Sequence, residues 1–284
     1  MQQPAMPQPA MQQPVMQQPG VMPPPGGMKG QWVPPPQQAI PGCPPGLEYL
    51  TQVDQLIVHQ QIELFEAFTN IQMANKYAVK NSMGQQIFFA YEDSEFCMRF
   101  CCGPNRSFTF HILDNAGHEV MRMRREFKCC AGCPWCASCA RDCCAYEVYV
   151  ESPPGQLIGM AIQSGSKWKP HYEILNANGE SIFHLWGPCC VWNGACCTCD
   201  VDFNVYGTDQ TTEIGKITRN YAGFGREFFT QANHYSMSCR SHSCLIGPTF
   251  PMDLDVKLKA VLMGAMILVV KYFLSLLGTM MHFD

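Results

Sequence analysis

The chain has 284 residues, with 19 Lys and Arg against 23 Asp and Glu for a net charge of −4. That length supports one sizeable core or two small ones, and the weakly acidic balance supplies no global field for nucleic acid, so no nucleic-acid partner is expected. Cysteine numbers 18, and the opening residues lack the basic stretch and apolar run of a secretory leader, so a reducing compartment is expected and a disulfide framework is not.

Residues 1–46 are Pro, Gln, Met and Gly with almost no charge, as in MQQPAMPQPAMQQP. Such a segment buries too little apolar surface to offset its ordering entropy, and its prolines favour an extended polyproline form. A disordered tail is expected, and its Pro-rich stretches such as Pro34-Pro35-Pro36 suit SH3 or WW partners. The folded domain is expected over 47–284. Val53–Ile71 fits neither the helical nor the strand period cleanly and reads as a short strand followed by an irregular or helical turn.

A repeat follows. Tyr77–Gly84, Phe110–Gly117 and Tyr172–Gly179 share the form aromatic-x-(Val/Ile)-x-(Asn/Asp)-x-x-Gly. Each alternates apolar and polar residues into a turn whose Asn or Asp and Gly tolerate left-handed angles, which predicts three β-hairpins. The second and third copies continue alike through a cysteine cluster, an alternating strand and an Ile-Gly strand, so they read as two related β-lobes. Many short alternating strands point to a closed barrel or a sandwich. His111 and His184 fall in these strands and read as satisfied structural residues.

The first cysteine cluster, KCCAGCPWCASCARDCC, holds Cys129, Cys130, Cys133, Cys136, Cys139, Cys143 and Cys144. Four of these have the C-x2-C-x2-C-x3-C spacing of a bacterial iron–sulfur ligand set, but Cys143 is followed by Cys144 instead of proline. Arg122, Arg124, Arg125 and Lys128 precede the cluster as a basic patch suited to a membrane surface. Acylated thiols beside basic residues form a stable anchor, so acylation, a zinc or iron–sulfur site, and unmodified thiols all stay open. The second cluster, Cys189 to Cys199, has no basic neighbours and reads as buried or metal-capable thiols.

At the C-terminus a hydrophobic helix is expected over 257–281. Ala260–Met281 as a helix would be about 33 Å long, enough either to cross a bilayer or to fill the lumen of a barrel. Lys257 and Lys259 would mark its cytosolic side. No P-loop, nucleophile elbow, HExxH or dinucleotide motif occurs in the sequence, so no catalytic site is expected.

Taken together, CPPGLEYL (43–50), QLIVHQQ (55–61), ILDN (112–115), SPPG (152–155), GPCC (187–190), GKI (215–217) and FPMDLDVK (250–257) resemble the phospholipid scramblase family. The resemblance implies a mainly β, tubby-like closed barrel around a hydrophobic C-terminal helix. It implies calcium-stimulated, ATP-independent movement of phospholipids between leaflets, S-palmitoylation of the first cysteine cluster, and SH3 or WW partners for the tail. It also implies attachment to the cytoplasmic face of the plasma membrane, with a single-pass type II topology as one form. The calcium ligands it implies map to Gln231, Asn233, Tyr235, Asp253 and Asp255, with Gln231 and Asn233 where the family has carboxylates, so weak calcium binding is expected. Asp253 and Asp255 also stand where a helix cap belongs. The alternative function is an acyl-anchored, lipid-binding signalling adaptor that does not move lipid.

Overall fold

The computed structural model describes residues 32–34, 40–61, 76–102, 105–128, 141–165, 169–188, 201–220 and 245–280. A 3-10 turn, Glu48–Gln52, leads into twelve strands: β1 (Ile57–Gln61), β2 (Lys76–Lys80), β3 (Gln86–Asp93), β4 (Phe108–Leu113), β5 (Glu119–Arg125), β6 (Glu147–Glu151), β7 (Leu157–Ser164), β8 (His171–Asn176), β9 (Ser181–Trp186), β10 (Val201–Tyr206), β11 (Glu213–Asn220) and β12 (Leu245–Thr249). Helices α1 (Phe96–Cys102) and α2 (Arg141–Cys144) lie between strands, and α3 (Val256–Met280) closes the described chain. Each strand pairs antiparallel with its sequence neighbours, and β12 returns to β1, so the sheet is a closed barrel. The two expected β-lobes are therefore parts of one continuous sheet.

The three hairpins of the sequence repeat are built alike. Asn81, Asp114 and Asn176 each accept backbone N–H bonds from the residues two and four further on. Gly84, Gly117 and Gly179 follow at φ of +78, +84 and +82, where a Cβ is disfavoured. The register also shifts by one residue beside each turn, leaving Ile87, Val120 and Ile182 as bulges. The β6–β7 and β10–β11 hairpins repeat this shift at Ile158 and Ile214. Bulges bend strands and increase twist, which a closing sheet requires.

The lumen holds α3. Ala260–Val269 are buried without exception, and the inward faces of the strands supply Phe88, Phe110, Ile112, Met121, Val148, Tyr172, Ile174, Leu185 and Phe203 to the same core. Two glycines let helix and wall approach. A Cβ on Gly159 of β7 would stand 2.7 Å from Val261, and one on Gly264 of the helix would stand 2.5 Å from Val150. Of the two readings of the C-terminal segment, the barrel plug holds for Ala260–Val269. Among the described residues, no helix is long and apolar enough to cross a membrane.

Lys259 anchors the helix and corrects an expectation. Instead of marking a membrane flank, it is fully buried. Its ammonium donates to the carbonyls of Leu50 (3.0 Å), Val53 (2.8 Å) and Met252 (2.8 Å), and lies 5.0 Å from the centre of the Phe250 ring. Leu50 ends in a carbonyl of a short 3-10 turn, where acceptors lack helical partners, so a cation is well matched there. Burial lowers the proton affinity of Lys259, with Asp54 and Asp253 acting in the opposite direction.

Described residues before 47 also pack on the barrel. Trp32 bridges Gln86, the Val33 N–H donates to the Gln86 carbonyl (3.0 Å), and a Cβ on Gly46 would overlap Val120. The expected tail boundary therefore falls within residues that pack on the barrel.

Lys259→Met keeps an apolar stem but removes the donor from the buried Leu50 and Val53 carbonyls, and from that of the exposed Met252, which water can serve. At about 1–3 kcal/mol for each buried group left without a partner, urea denaturation should show a loss of about 2 kcal/mol or more. A loss below about 1 kcal/mol would mean that water takes over the ammonium's role.

Candidate functional site

An up-and-down antiparallel barrel sorts its connections by end. The β2–β3, β4–β5, β6–β7, β8–β9 and β10–β11 turns all lie at one end, together with the entry to α3. The longer β1–β2, β3–β4, β5–β6, β9–β10 and β11–β12 segments all leave and return at the other. Every cysteine except Cys43 falls in these longer segments. Among the described residues, alternation of strand direction thus places Cys97, Cys101, Cys102, Cys143 and Cys144 at one barrel end. The exposed aromatic residues Phe96 and Phe127 belong to the same segments.

The helix in the lumen points the same way. It enters at the short-turn end, where Val261 meets Gly159, and reaches Met266 and Ile267 beside Tyr77 and Phe110 near the far rim. Its 25 residues make a rod about 38 Å long, against about 26 Å for the longest strands.

Among the expected acylation sites, Cys129, Cys130, Cys133, Cys136 and Cys139 lie outside the described residues. Cys143 is exposed, whereas Cys144 is buried and follows the turn of α2 into the core. That corrects Cys144: a buried thiol is closed to an acyl donor. Cys97 and Cys101 were not among the candidates, yet both are exposed on α1 at the same barrel end. Their i, i+4 spacing in FCMRFCC places them on one helical face, and it is legible in the sequence.

The basic patch is resolved into separate roles by the strand period. After the Val120 bulge, Met121 and Met123 point inward and so does Arg125. Arg125 is 2 % exposed, with its guanidinium 4.8 Å from the centre of the Phe108 ring and 4.6 Å from that of Tyr146, and it donates to the Arg106 carbonyl (2.9 Å). Burial lowers its affinity for the proton, to about 10, which leaves it charged at neutral pH. Beneath it, Arg106 grips Glu92 through both carboxylate oxygens (2.7 and 3.2 Å), and the Ser94 hydroxyl donates to the same carboxylate. Tyr146 donates its hydroxyl to Asn105. This buried polar cluster fixes the roots of the β3–β4 and β5–β6 segments.

The outward residues are matched by carboxylates. Arg122 forms a two-point bond with Glu119 (2.8 and 2.8 Å), which also accepts from His111 at 2.7 Å. Burial raises the Glu119 pKa, but the bonds from Arg122 and His111 outweigh it and hold the carboxyl below its ordinary range. Lys128 pairs with Glu147 (3.0 Å), and Arg124 lies over Tyr149 with Glu151 at 3.9 Å. The expected single-sign patch is therefore a set of ion pairs plus one buried guanidinium, because β6 brings Glu147 and Glu151 alongside β5.

For calcium, Gln231, Asn233 and Tyr235 lie outside the described residues. Asp255 caps α3, accepting the Lys257 N–H at 2.8 Å. The segment containing residues 231–235 is anchored at Asn220 and Leu245, and the five residues of β12, about 17 Å, separate that rim from the end carrying Asp253 and Asp255.

A family profile described as Scramblase matches residues 33–275. Phospholipid scramblase 1 of Homo sapiens is 42% identical over 248 residues, covering 87% of this chain and 71% of that protein. Phospholipid scramblase 2 of Bos taurus is 41% identical over 84% of this chain and 74% of its own length, and phospholipid scramblase 4 of Homo sapiens is 33% identical over 84% and 66%. No solved structure matches.

Arg125 and Arg124 separate the buried from the surface role. Arg125→Leu should lower stability in chemical denaturation by about 2 kcal/mol or more, and Arg124→Ser should stay within about 0.5 kcal/mol. Equal effects would return Arg125 to the surface patch.

Proposed function

The chain belongs to the phospholipid scramblase family, and from that premise we propose that it mediates ATP-independent, bidirectional exchange of phospholipids between leaflets from the cytoplasmic face of the plasma membrane. The observation that carries the orientation is the set of exposed thiols on α1 and α2, Cys97, Cys101 and Cys143, at the barrel end toward which α3 also runs. Acyl chains on those thiols supply the anchor. One chain binds only marginally, whereas several chains at one rim hold a protein firmly.

Flip-flop is slow because a polar headgroup must cross hydrocarbon, and a protein that lowers this barrier for lipids moving downhill needs no nucleotide. No covalent step is involved, so the activity is transport and not enzymatic turnover. Calcium stimulation is weak in this reading, since Gln231 and Asn233 offer neutral oxygens to a hard divalent ion that prefers carboxylates. The Pro-rich segment before the barrel serves SH3 or WW partners.

One observation favours a second reading, an acyl-anchored adaptor that binds lipid without moving it. Ala260–Val269 fill the lumen with apolar side chains, which leaves no polar track through the described barrel. Reconstitution separates the two. Liposomes containing the purified protein and a fluorescent lipid are treated with a membrane-impermeant quencher, with and without calcium. Loss of signal beyond the outer-leaflet fraction, changed little by calcium, is expected; quenching confined to that fraction in both conditions leaves the adaptor.

The anchor has its own test. Serine at Cys129, Cys130, Cys133, Cys136, Cys139 and Cys143 should shift the protein from membrane to soluble fractions, with Cys97→Ser and Cys101→Ser completing the release. Cys144→Ser should leave membrane attachment unchanged. Full membrane retention of the combined variant would overturn the acyl anchor.

A further inference from the structure

The outer wall of the barrel carries a constellation that lipid movement does not use. His171 and Glu173 alternate along β8, and His184 on β9 stands directly across from Glu173. The inward partners Tyr172, Ile174 and Leu185 are core residues, so the three occupy one outward-facing patch. His171 and His184 are nevertheless 7% and 9% exposed. One donor atom from each of the three lies within 4.8 Å of the others.

We propose that His171, Glu173 and His184 form a zinc site. His171 Nε2 and His184 Nδ1 are 3.2 Å apart. Two imidazole nitrogens on a tetrahedral zinc, with bonds of about 2.0–2.1 Å, stand about 3.3 Å apart, so the pair is already at the spacing of one edge. A carboxylate on the neighbouring position supplies a third ligand of the type that zinc accepts, and the fourth position is left for water.

The surroundings hold the ligands as outer-shell groups do. The Ser164 hydroxyl donates to one oxygen of Glu173 at 2.8 Å, on the strand beside β8. Trp186 stacks on His171 with ring centres 3.8 Å apart and planes within 3°, which fixes that imidazole. The β10–β11 turn places Gln210 at φ +55, in the left-handed region that a side-chain-bearing residue seldom adopts, and brings its amide to 3.5 Å from His184 Nε2. A half-turn of that amide presents its oxygen, so that Nε2–H donates outward and the Nδ1 lone pair faces His171. A metal here would join β7, β8, β9 and the β10–β11 turn.

Cysteine clusters also take zinc, so the test must distinguish the two ligand types. Untagged wild type, Glu173→Gln and a His171→Gln/His184→Gln double variant are stripped of metal under reducing conditions. Each is titrated with zinc against a chromophoric chelator and, in parallel, with cobalt(II). The wild type should bind one equivalent more than the double variant, and that equivalent should add cobalt ligand-field bands without a thiolate charge-transfer band. Glu173→Gln keeps strand and neighbours, and should weaken that equivalent by at least about tenfold, the lower scale on which even an outer-shell partner affects a metal site. It decides the case if the double variant fails to fold. Equal stoichiometry and affinity in wild type and Glu173→Gln, with all cobalt showing thiolate charge transfer, would overturn the site and leave a simple imidazole–imidazole hydrogen bond.

Discussion

A closed twelve-stranded sheet encloses a space that side chains of its own cannot fill without help, and the structure depends on what occupies it. Helix α3 is apolar on every face over Ala260–Val269, so it suits a surround of hydrophobic wall. A rod of that kind could slide along the barrel axis at little cost in apolar contact, and Lys259 opposes this. Its three carbonyl bonds tie the first turn of the helix to the 3-10 turn, to the chain entering β1 and to the residues leaving β12. Gly159 and Gly264 then fix rotation, since each marks a place where only one face of the helix fits.

Closure also separates the ends. Five hairpins with the same bulge make one rim of short polar turns, and the direction of the strands commits every other connection to the opposite rim. The cysteine segments share an end because each follows an odd-numbered strand, whatever their individual conformation. The buried group of Arg125, Arg106 and Glu92 lies at the root of that rim, where charge-assisted bonds hold loop ends in a fixed place. The ends of those segments are thereby joined to a rigid barrel through a buried polar cluster.

The outer wall behaves differently. His111 is satisfied by Glu119 and stacks on Tyr91 at 4.9 Å, as a structural residue would. His184 had the same standing in the sequence, one histidine in a strand. Only the pairing of β8 with β9 sets it across from Glu173 and diagonal to His171, and only the β10–β11 turn brings Gln210 over it. The chemistry of that patch belongs to the sheet and not to any single strand.

Local sequence determined the hairpins, because a side-chain acceptor followed by a glycine defines each turn within a few residues. Period-two alternation determined a barrel or sandwich of short strands, with the β12–β1 pairing deciding for the barrel, and through Met121 and Met123 it also pointed Arg125 inward, a signal masked when the four basic residues are taken as one patch. The uncharged run in 260–270 determined that a helix would be buried in something apolar. Lumen and lipid are alike to a helix in that respect, so only tertiary structure could choose between them for Ala260–Val269. The burial of Lys259, the closure of Cys144, the placement of Cys97, Cys101 and Cys143 at one end and the meeting of His171, Glu173 and His184 were likewise decided by strand pairing. Each depends on contacts between residues distant in the chain, whose energies no local pattern records.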